Sequence, residues 1–327
     1  MYYHDLVYGP VEIKNPVLLD LIESRAMQRL RGVLQHGISA LIGITAPTTR
    51  FDHSVGVMLL TRLLGAPLEE QIAALLHDVS HTAFSHVIDY VFDAHTTQGY
   101  HEEKKEEYVA GTDIPKILSK HGYDWIEFID ESEFPILEQP SPALCADRLD
   151  YFLRDGRDLG LAADSEVDSA LQHLTVHRDR IVVSDLGVAQ WLGYTFIAAD
   201  KASWANFREV GLYELAARAI RRGLEIGTLT KADLWGTDRP AWEKLHASTD
   251  AELQNQLTRV SPDTRFVWDD ESPTFRISTK LRTIDPPVII NTHVAPLSTL
   301  DPAFGQHRQE YLAKNSGAWP MRIINHS

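Results

Sequence analysis

The sequence predicts a mostly α protein, a helical bundle carrying a small, partly β C-terminal appendage, and three observations predict it. Apolar residues recur at spacings near three and four in several long stretches between residues 16 and 226. Helix-start chemistry introduces the first of them, where Asn15 can cap and Pro16 can occupy the first helical position. After about residue 255 the pattern changes to short β-branched or aromatic runs divided by Pro and Asp. The expected division is a main body at residues 1–235 and an α+β appendage at 236–327.

Taken in order, Leu6 to Ile13 reads as a short extended segment broken by a Gly9-Pro10 turn. Val17, Leu18, Leu21, Ile22, Met27 and Leu30 then make one long amphipathic helix. Residues 53–64 continue as helix, and Ala66-Pro67 marks a turn. Residues 68–91 carry an apolar face, Ile72 to Leu76, that runs into His77, Asp78, His81 and His86 on what reads as one continuous helix. Thr96 to Glu107 is polar, an exposed loop leading into a solvated helix. Prolines at 115 and within 135–142 separate further elements, and Ala143 to Leu153 is helical again. Residues 186–226 are mostly helical, with Trp191, Phe196, Trp204, Phe207, Leu212 and Leu215 as core. In the appendage, strands are expected at Phe266–Trp268, Thr274–Ser278 and Val288–Ile290.

Composition excludes several classes of function. With 31 Lys+Arg against 46 Asp+Glu, the net charge of −15 repels polyanions, so no nucleic-acid partner is expected. A small phosphate ester remains admissible, because a few arginines in a cleft can overrule the field of the whole molecule. One cysteine, Cys145, cannot form an internal disulfide, and the N-terminal residues lack a basic-then-apolar signal. No run of about 18 apolar residues is present to span a bilayer. A cytoplasmic protein with no membrane partner is expected.

Three histidines and an aspartate within residues 77–86 are hard to explain as packing, since unpartnered ionisable groups on a buried helix cost several kcal/mol. A cation repays that cost. Together with His53 in Arg50-Phe51-Asp52-His53-Ser54 and Asp147 in Cys145-Ala146-Asp147-Arg148, the pair His77-Asp78 offers two imidazoles and two carboxylates. Such a set suits a divalent Mn, Mg, Fe, Co, Ni or Zn ion and leaves positions open for water and a substrate oxygen. His77 and His81 stand four apart and would share a helical face. The pair His4-Asp5 has neither an apolar run before it nor a histidine four residues on, and no role is assigned to it.

The order of these motifs resembles the HD-domain metal-dependent phosphohydrolases, whose signature is H…HD…D, and within them the deoxynucleoside triphosphate triphosphohydrolase branch. The resemblance rests on Gln28 to Gln35, Arg50 to Val57, His77 to His86, His101-Glu102 and Asp147 to Asp155, and covers about residues 5–160, fading toward 235. It implies an HD-domain helical bundle in which His53, His77, Asp78 and Asp147 hold the metal. It implies that His81, His86, Asp89 and His101 line the reaction centre, with His86 or His101 assisting proton transfer. Arg50 and Arg148 match positions that grip phosphates, while Gln35, Tyr151 and Asp155 match positions around the sugar. Lys201 could serve in the stretch Lys201 to Arg208, which stands where the nucleotide branch carries an Arg/His/Tyr-rich helix but does not reproduce that pattern. A homo-oligomer is implied as well.

Three functions are expected in order. The first is hydrolysis of a deoxynucleoside triphosphate to nucleoside and tripolyphosphate. The second keeps the metal but acts on a nucleoside monophosphate or another small phosphate ester. The third is a nucleotide-sensing module that binds without turnover.

Overall fold

The computed structural model describes residues 1–96, 98–291 and 293–324; residues 97, 292 and 325–327, which fall inside the stretches discussed above, lie outside the described residues. The chain opens with an antiparallel hairpin, Tyr2–Asp5 against Gly9–Glu12, in which Tyr2 faces Glu12 and Asp5 faces Gly9. The turn is Leu6-Val7-Tyr8, not Gly9-Pro10. Asp5 Oδ1 accepts the main-chain N–H groups of Val7 and Tyr8 at 2.7 and 3.0 Å, and this side-chain turn fixes the reversal before the Gly-Pro pair is reached.

Asn15 caps the first helix, Pro16–Ile22, as expected. The helix stops there because Ser24 begins a second one, its Oγ accepting from Met27 N at 3.2 Å, so Arg25–Arg29 is a separate helix. The centre of the bundle is built from the helices Arg50–Leu63, Leu68–Leu76 and Ala146–Asp158, whose apolar faces meet around Phe51, Val55, Leu75, Leu149 and Phe152, all buried.

Residues 68–91 do not form one helix. The helical segment ends at Leu76, an irregular segment follows, and Val87–Val91 resumes as a short helix. Tertiary partners draw the backbone out of the helical path. Ala83 N donates to Leu234 O at 2.7 Å, Phe84 N to Asp238 Oδ1 at 2.8 Å, and Ser85 Oγ to Leu34 O at 2.6 Å. Phe84 and Ser85 consequently sit at φ 68° and 48°, a region where side chains other than glycine are strained.

Further on, Leu186–Ala199 and Phe207–Glu225 are long helices joined through a π-helical turn at Asp200–Trp204. Phe196 and Leu212 are fully buried, while Trp191, Trp204 and Phe207 are half-buried. The three expected tail strands form. Arg265–Trp268 and Phe275–Ile277 flank Trp319–Ile324 in an antiparallel sheet beside the 207–225 helix. Pro287–Ile290 belongs to a second sheet that also contains Leu174–His177 and Arg180–Val183, a hairpin absent from the sequence reading. The parallel pairing of Val183 with Val288 joins that hairpin to the tail. No helix among the described residues is long and apolar enough to cross a membrane.

Candidate active site

The 50–63 helix carries His53, the C-terminal end of the 68–76 helix delivers His77 and Asp78, and the first turn of the 146–158 helix presents Asp147. Nε2 of His53 and Nε2 of His77 lie 3.2 Å apart, and Asp147 Oδ1 stands 2.9 and 3.5 Å from them. Asp78 closes the group from the side, its oxygens 3.7 Å from His53 Nε2 and 3.6 Å from His77 Nε2.

Hydrogen bonds on the far side of each ring decide what the near side offers. His77 Nδ1 donates to the carbonyl of Ala74 at 2.8 Å, and His53 Nδ1 donates to Asp150 Oδ2 at 2.8 Å. A neutral ring so placed keeps its Nε2 lone pair, so two nitrogen lone pairs and an Asp147 oxygen converge on one point. That arrangement demands a positive charge. Burial opposes a charged His77, yet Asp78 and Asp147 outweigh it and lift its pKa to about 10. The donor set fits a divalent ion, which His53, His77 and Asp147 could hold together with Asp78 beside them.

Three more imidazoles line the adjoining wall. His101 stacks on His81 with centroids 3.8 Å apart, and His86 meets His81 edge-on at 5.0 Å. His81 Nε2 lies 3.2 Å from Asp78 Oδ1 in an orientation that makes no hydrogen bond, and it is buried without a hydrogen-bond partner. Burial, reinforced by Arg50, brings the His81 pKa down to about 3, and burial holds His86 and His101 well below the usual value too. These rings are therefore neutral. His86 Nδ1 donates to Asp89 Oδ2 at 2.9 Å, which leaves the other ring nitrogen as a proton acceptor.

Every site residue expected from the sequence lines one cavity except Asp89, which stands behind His86, and Lys201, which is exposed on the π turn. His77 and His81 do not share a helical face, because the helix ends before them; His81 instead groups with Asp78 and His101. Arg50 is committed to Asp78, Nη1 to Oδ2 at 2.7 Å, and also donates to Ser85 Oγ at 3.1 Å. Arg148 donates to the carbonyls of Ala143 at 2.7 Å and Gln139 at 3.2 Å, and so clamps the 138–145 loop. Both oxygens of Asp155 are taken, by His36 Nε2 at 2.9 Å and Trp204 Nε1 at 2.6 Å. Gln35 Oε1 is buried without a hydrogen-bond partner, and Tyr151 packs edge-on against Trp204.

The sequence reading missed His36, Tyr213, Lys280 and Arg282, which share the cavity wall, and assigned Trp204 only to the core. His36 sits next to Gln35 and could have been noticed. Nothing local marks Lys280 or Arg282, which arrive from the tail.

The HD domain family matches residues 50–155, the segment that contributes both metal-capable groups, His53, His77 and Asp147, and Asp78, His81 and His101. The chain is 38% identical over 317 residues to metal-dependent phosphohydrolase cns2 of Cordyceps militaris, covering 94% of this chain and 91% of that protein. It is 39% identical over 292 residues to the uncharacterized protein YdhJ of Bacillus subtilis, 89% of each chain. This protein belongs to the HD-domain metal-dependent phosphohydrolases, and its cofactor is a divalent metal ion. A crystal structure of a phosphohydrolase from Bacteroides thetaiotaomicron shares the fold, with a TM-score of 0.69 at 18% identity over 91% of this chain and 94% of that one. A shorter stretch of 105 residues is 35% identical to the deoxynucleoside triphosphate triphosphohydrolase SAMHD1 of Danio rerio, covering 28% of this chain and 17% of that protein.

Proposed function

We propose that the protein hydrolyses the phosphate ester of a small nucleoside monophosphate or a compound of similar size. The observation that carries this reading is three neutral imidazoles, the buried His81 and the partly exposed His86 and His101, in one cavity with the ligand-capable His53, His77, Asp78 and Asp147. A divalent ion held by those four residues supplies Lewis acidity toward a phosphoryl oxygen and acidifies water. His86 accepts or returns a proton at its cavity-facing nitrogen, with Asp89 fixing the tautomer. Arg50 holds Asp78 in place, and Tyr151 and Trp204 give the cavity aromatic surface for an apolar or ring-bearing group.

Size favours one phosphate over three. The cavity measures about 190 Å³, below the roughly 300 Å³ at which pockets begin to enclose a drug-sized ligand.

Hydrolysis of deoxynucleoside triphosphates is the second reading, favoured by the SAMHD1 likeness and by Gln35, Tyr151 and Asp155 in the cavity. Incubating manganese-loaded protein with a panel of nucleoside mono- and triphosphates separates the two. Orthophosphate released from monophosphates supports the first reading, and tripolyphosphate the second. Nucleotide binding without any product, surviving His86→Ala, would leave only a sensing module.

A further inference from the structure

Residues 278–286 run without regular secondary structure between the strands Phe275–Ile277 and Pro287–Ile290, and they cross one wall of the cavity. Main-body and tail groups pin this strap. Asp285 N donates to Pro142 O at 2.9 Å, Arg308 Nε to Thr283 Oγ1 at 2.9 Å, and Arg282 N to Asp200 Oδ2 at 2.8 Å. Asp200 is itself fixed by the hydroxyl of Tyr311 at 2.8 Å.

Arg282 reaches into the cavity with a guanidinium whose hydrogen-bond partners are neutral, the side-chain oxygen of Gln98 and the carbonyl of Lys280. Among the described residues no carboxylate comes within ion-pair distance of that guanidinium; Asp200 meets the strap through the main-chain N–H instead. Lys280 lines the cavity beside it, where burial and then the charge of Arg282 weaken its hold on its proton. A guanidinium at a cavity wall that meets only neutral acceptors keeps its charge available to an anion entering the cavity.

The cations that the sequence nominated for phosphate are engaged elsewhere or turned away. Arg50 serves Asp78, Arg148 serves the carboxylate of Glu138 as well as loop carbonyls, and Lys201 is on the surface. We infer that Arg282, assisted by Lys280, is the phosphate-recognition element of this site, so that the tail and not the 201–208 stretch supplies the grip on the anionic substrate. The inference rests on the phosphohydrolase reading. A planar fork suits two non-bridging phosphate oxygens at once, and the pinned strap holds it without a moving part.

Orthophosphate is the probe, titrated calorimetrically into manganese-loaded protein. Arg282→Gln is expected to weaken phosphate binding by about ten- to a hundredfold, the size of charge-assisted hydrogen bonds, while metal content stays at the wild-type level. Lys280→Gln is expected to have a smaller effect in the same direction, and Arg276→Gln, an exposed change on the adjoining strand, none. Arg282→Lys keeps the charge without the fork and should recover part of the affinity; it also provides the comparison if the Gln variant does not fold. Unchanged phosphate affinity in folded Arg282→Gln, or in Arg282→Lys alone if the Gln variant is unfolded, overturns the assignment. So does a wild-type protein that retains metal yet binds no phosphate. Turnover measured separately keeps the two readings distinguishable. Hydrolysis with an unaltered KM in Arg282→Gln removes the recognition element and leaves the hydrolase, whereas Arg282-dependent phosphate binding without turnover of any ester does the reverse.

Discussion

Asp150 Oδ2 accepts a hydrogen bond from His53 Nδ1 at 2.8 Å, and Asp150 is completely buried. The contact continues outward. Arg154 donates to both oxygens of Asp150 at 2.7 and 3.1 Å and to Asp5 Oδ2 at 2.8 Å, while Tyr8 OH donates to Asp150 Oδ1 at 2.8 Å. The N-terminal hairpin thus braces a metal-capable imidazole from behind, and Asp5, set aside in the sequence as half of an uninformative dipeptide, is the outer end of the brace. Asp150→Ala is expected to weaken metal binding by roughly ten- to a hundredfold, as removal of partners behind a ligating histidine does. Titration with Mn or Co, followed by calorimetry or by the cobalt absorption band, measures it, and wild-type affinity would show that the brace is irrelevant to the ion.

Arg50 and Asp78 form a buried pair, each side chain 5% exposed. Arg50→Gln strands the carboxylate, a loss of roughly 3–5 kcal/mol when a buried pair is broken. A divalent ion can take over the missing charge compensation, so the deficit in thermal stability should be largest in chelator and should shrink on adding Mn. Melting curves under both conditions test this. Equal deficits with and without metal would separate Arg50 from the ion's electrostatics.

Asp238 accepts from Leu34 N and Phe84 N, both at 2.8 Å, and ties two cavity-forming segments to the 238–246 helix. Burial raises its pKa to about 6 although both amides pull it down. The folded protein therefore holds this proton more tightly than the unfolded chain, whose carboxyl titrates near 4. Its contribution to stability is fully present below about pH 4 and is lost as pH rises through 6, a change of about 2 kcal/mol between pH 4 and 7.5. Denaturant unfolding of wild type and Asp238→Asn at several pH values isolates the effect, because the variant lacks the titration. A wild-type-to-variant difference independent of pH would mean that the carboxyl titrates normally.

Gly56 faces the crossing of the 50–63 and 146–158 helices, where an added Cβ would collide with the Arg154 guanidinium and with Asp150 Oδ1. Neither group can swing aside without breaking the brace on His53. Gly56→Ala is expected to cost about 1–3 kcal/mol through overpacking and to lower metal affinity alongside stability. Thermal melting paired with metal titration checks the coupling, and a variant that melts lower while binding metal normally would show that the clash relaxes elsewhere.

Much of the site was legible because it is written in ligand chemistry and in order along the chain. His53, His77 and Asp147 bring ligand atoms together, Asp78 stands beside them and groups with His81 and His101, and His86 shares the cavity. Cap chemistry was legible too, since Asn15 acts on a neighbour in sequence. What stayed hidden depends on distant partners. The helix break after Leu76 is imposed by Leu234, Asp238 and Leu34, none of which a local window contains. The 174–183 hairpin consists of four-residue strands whose companion is Val288. Arg50 and Arg148 match phosphate-gripping positions, but the sequence does not reveal that Asp78 engages the first and Glu138 and two loop carbonyls the second.

The parallel pairing of Val183 with Val288 places a late-synthesised segment beside an early one, with the 278–286 strap immediately before it. On the ribosome, residues up to the 207–225 helix can emerge and begin to collapse while the cavity still lacks its tail-derived wall. During that interval the strand Arg180–Val183 offers an unpaired edge, so nascent-chain aggregation and chaperone capture should concentrate there until the strand Pro287–Ile290 arrives.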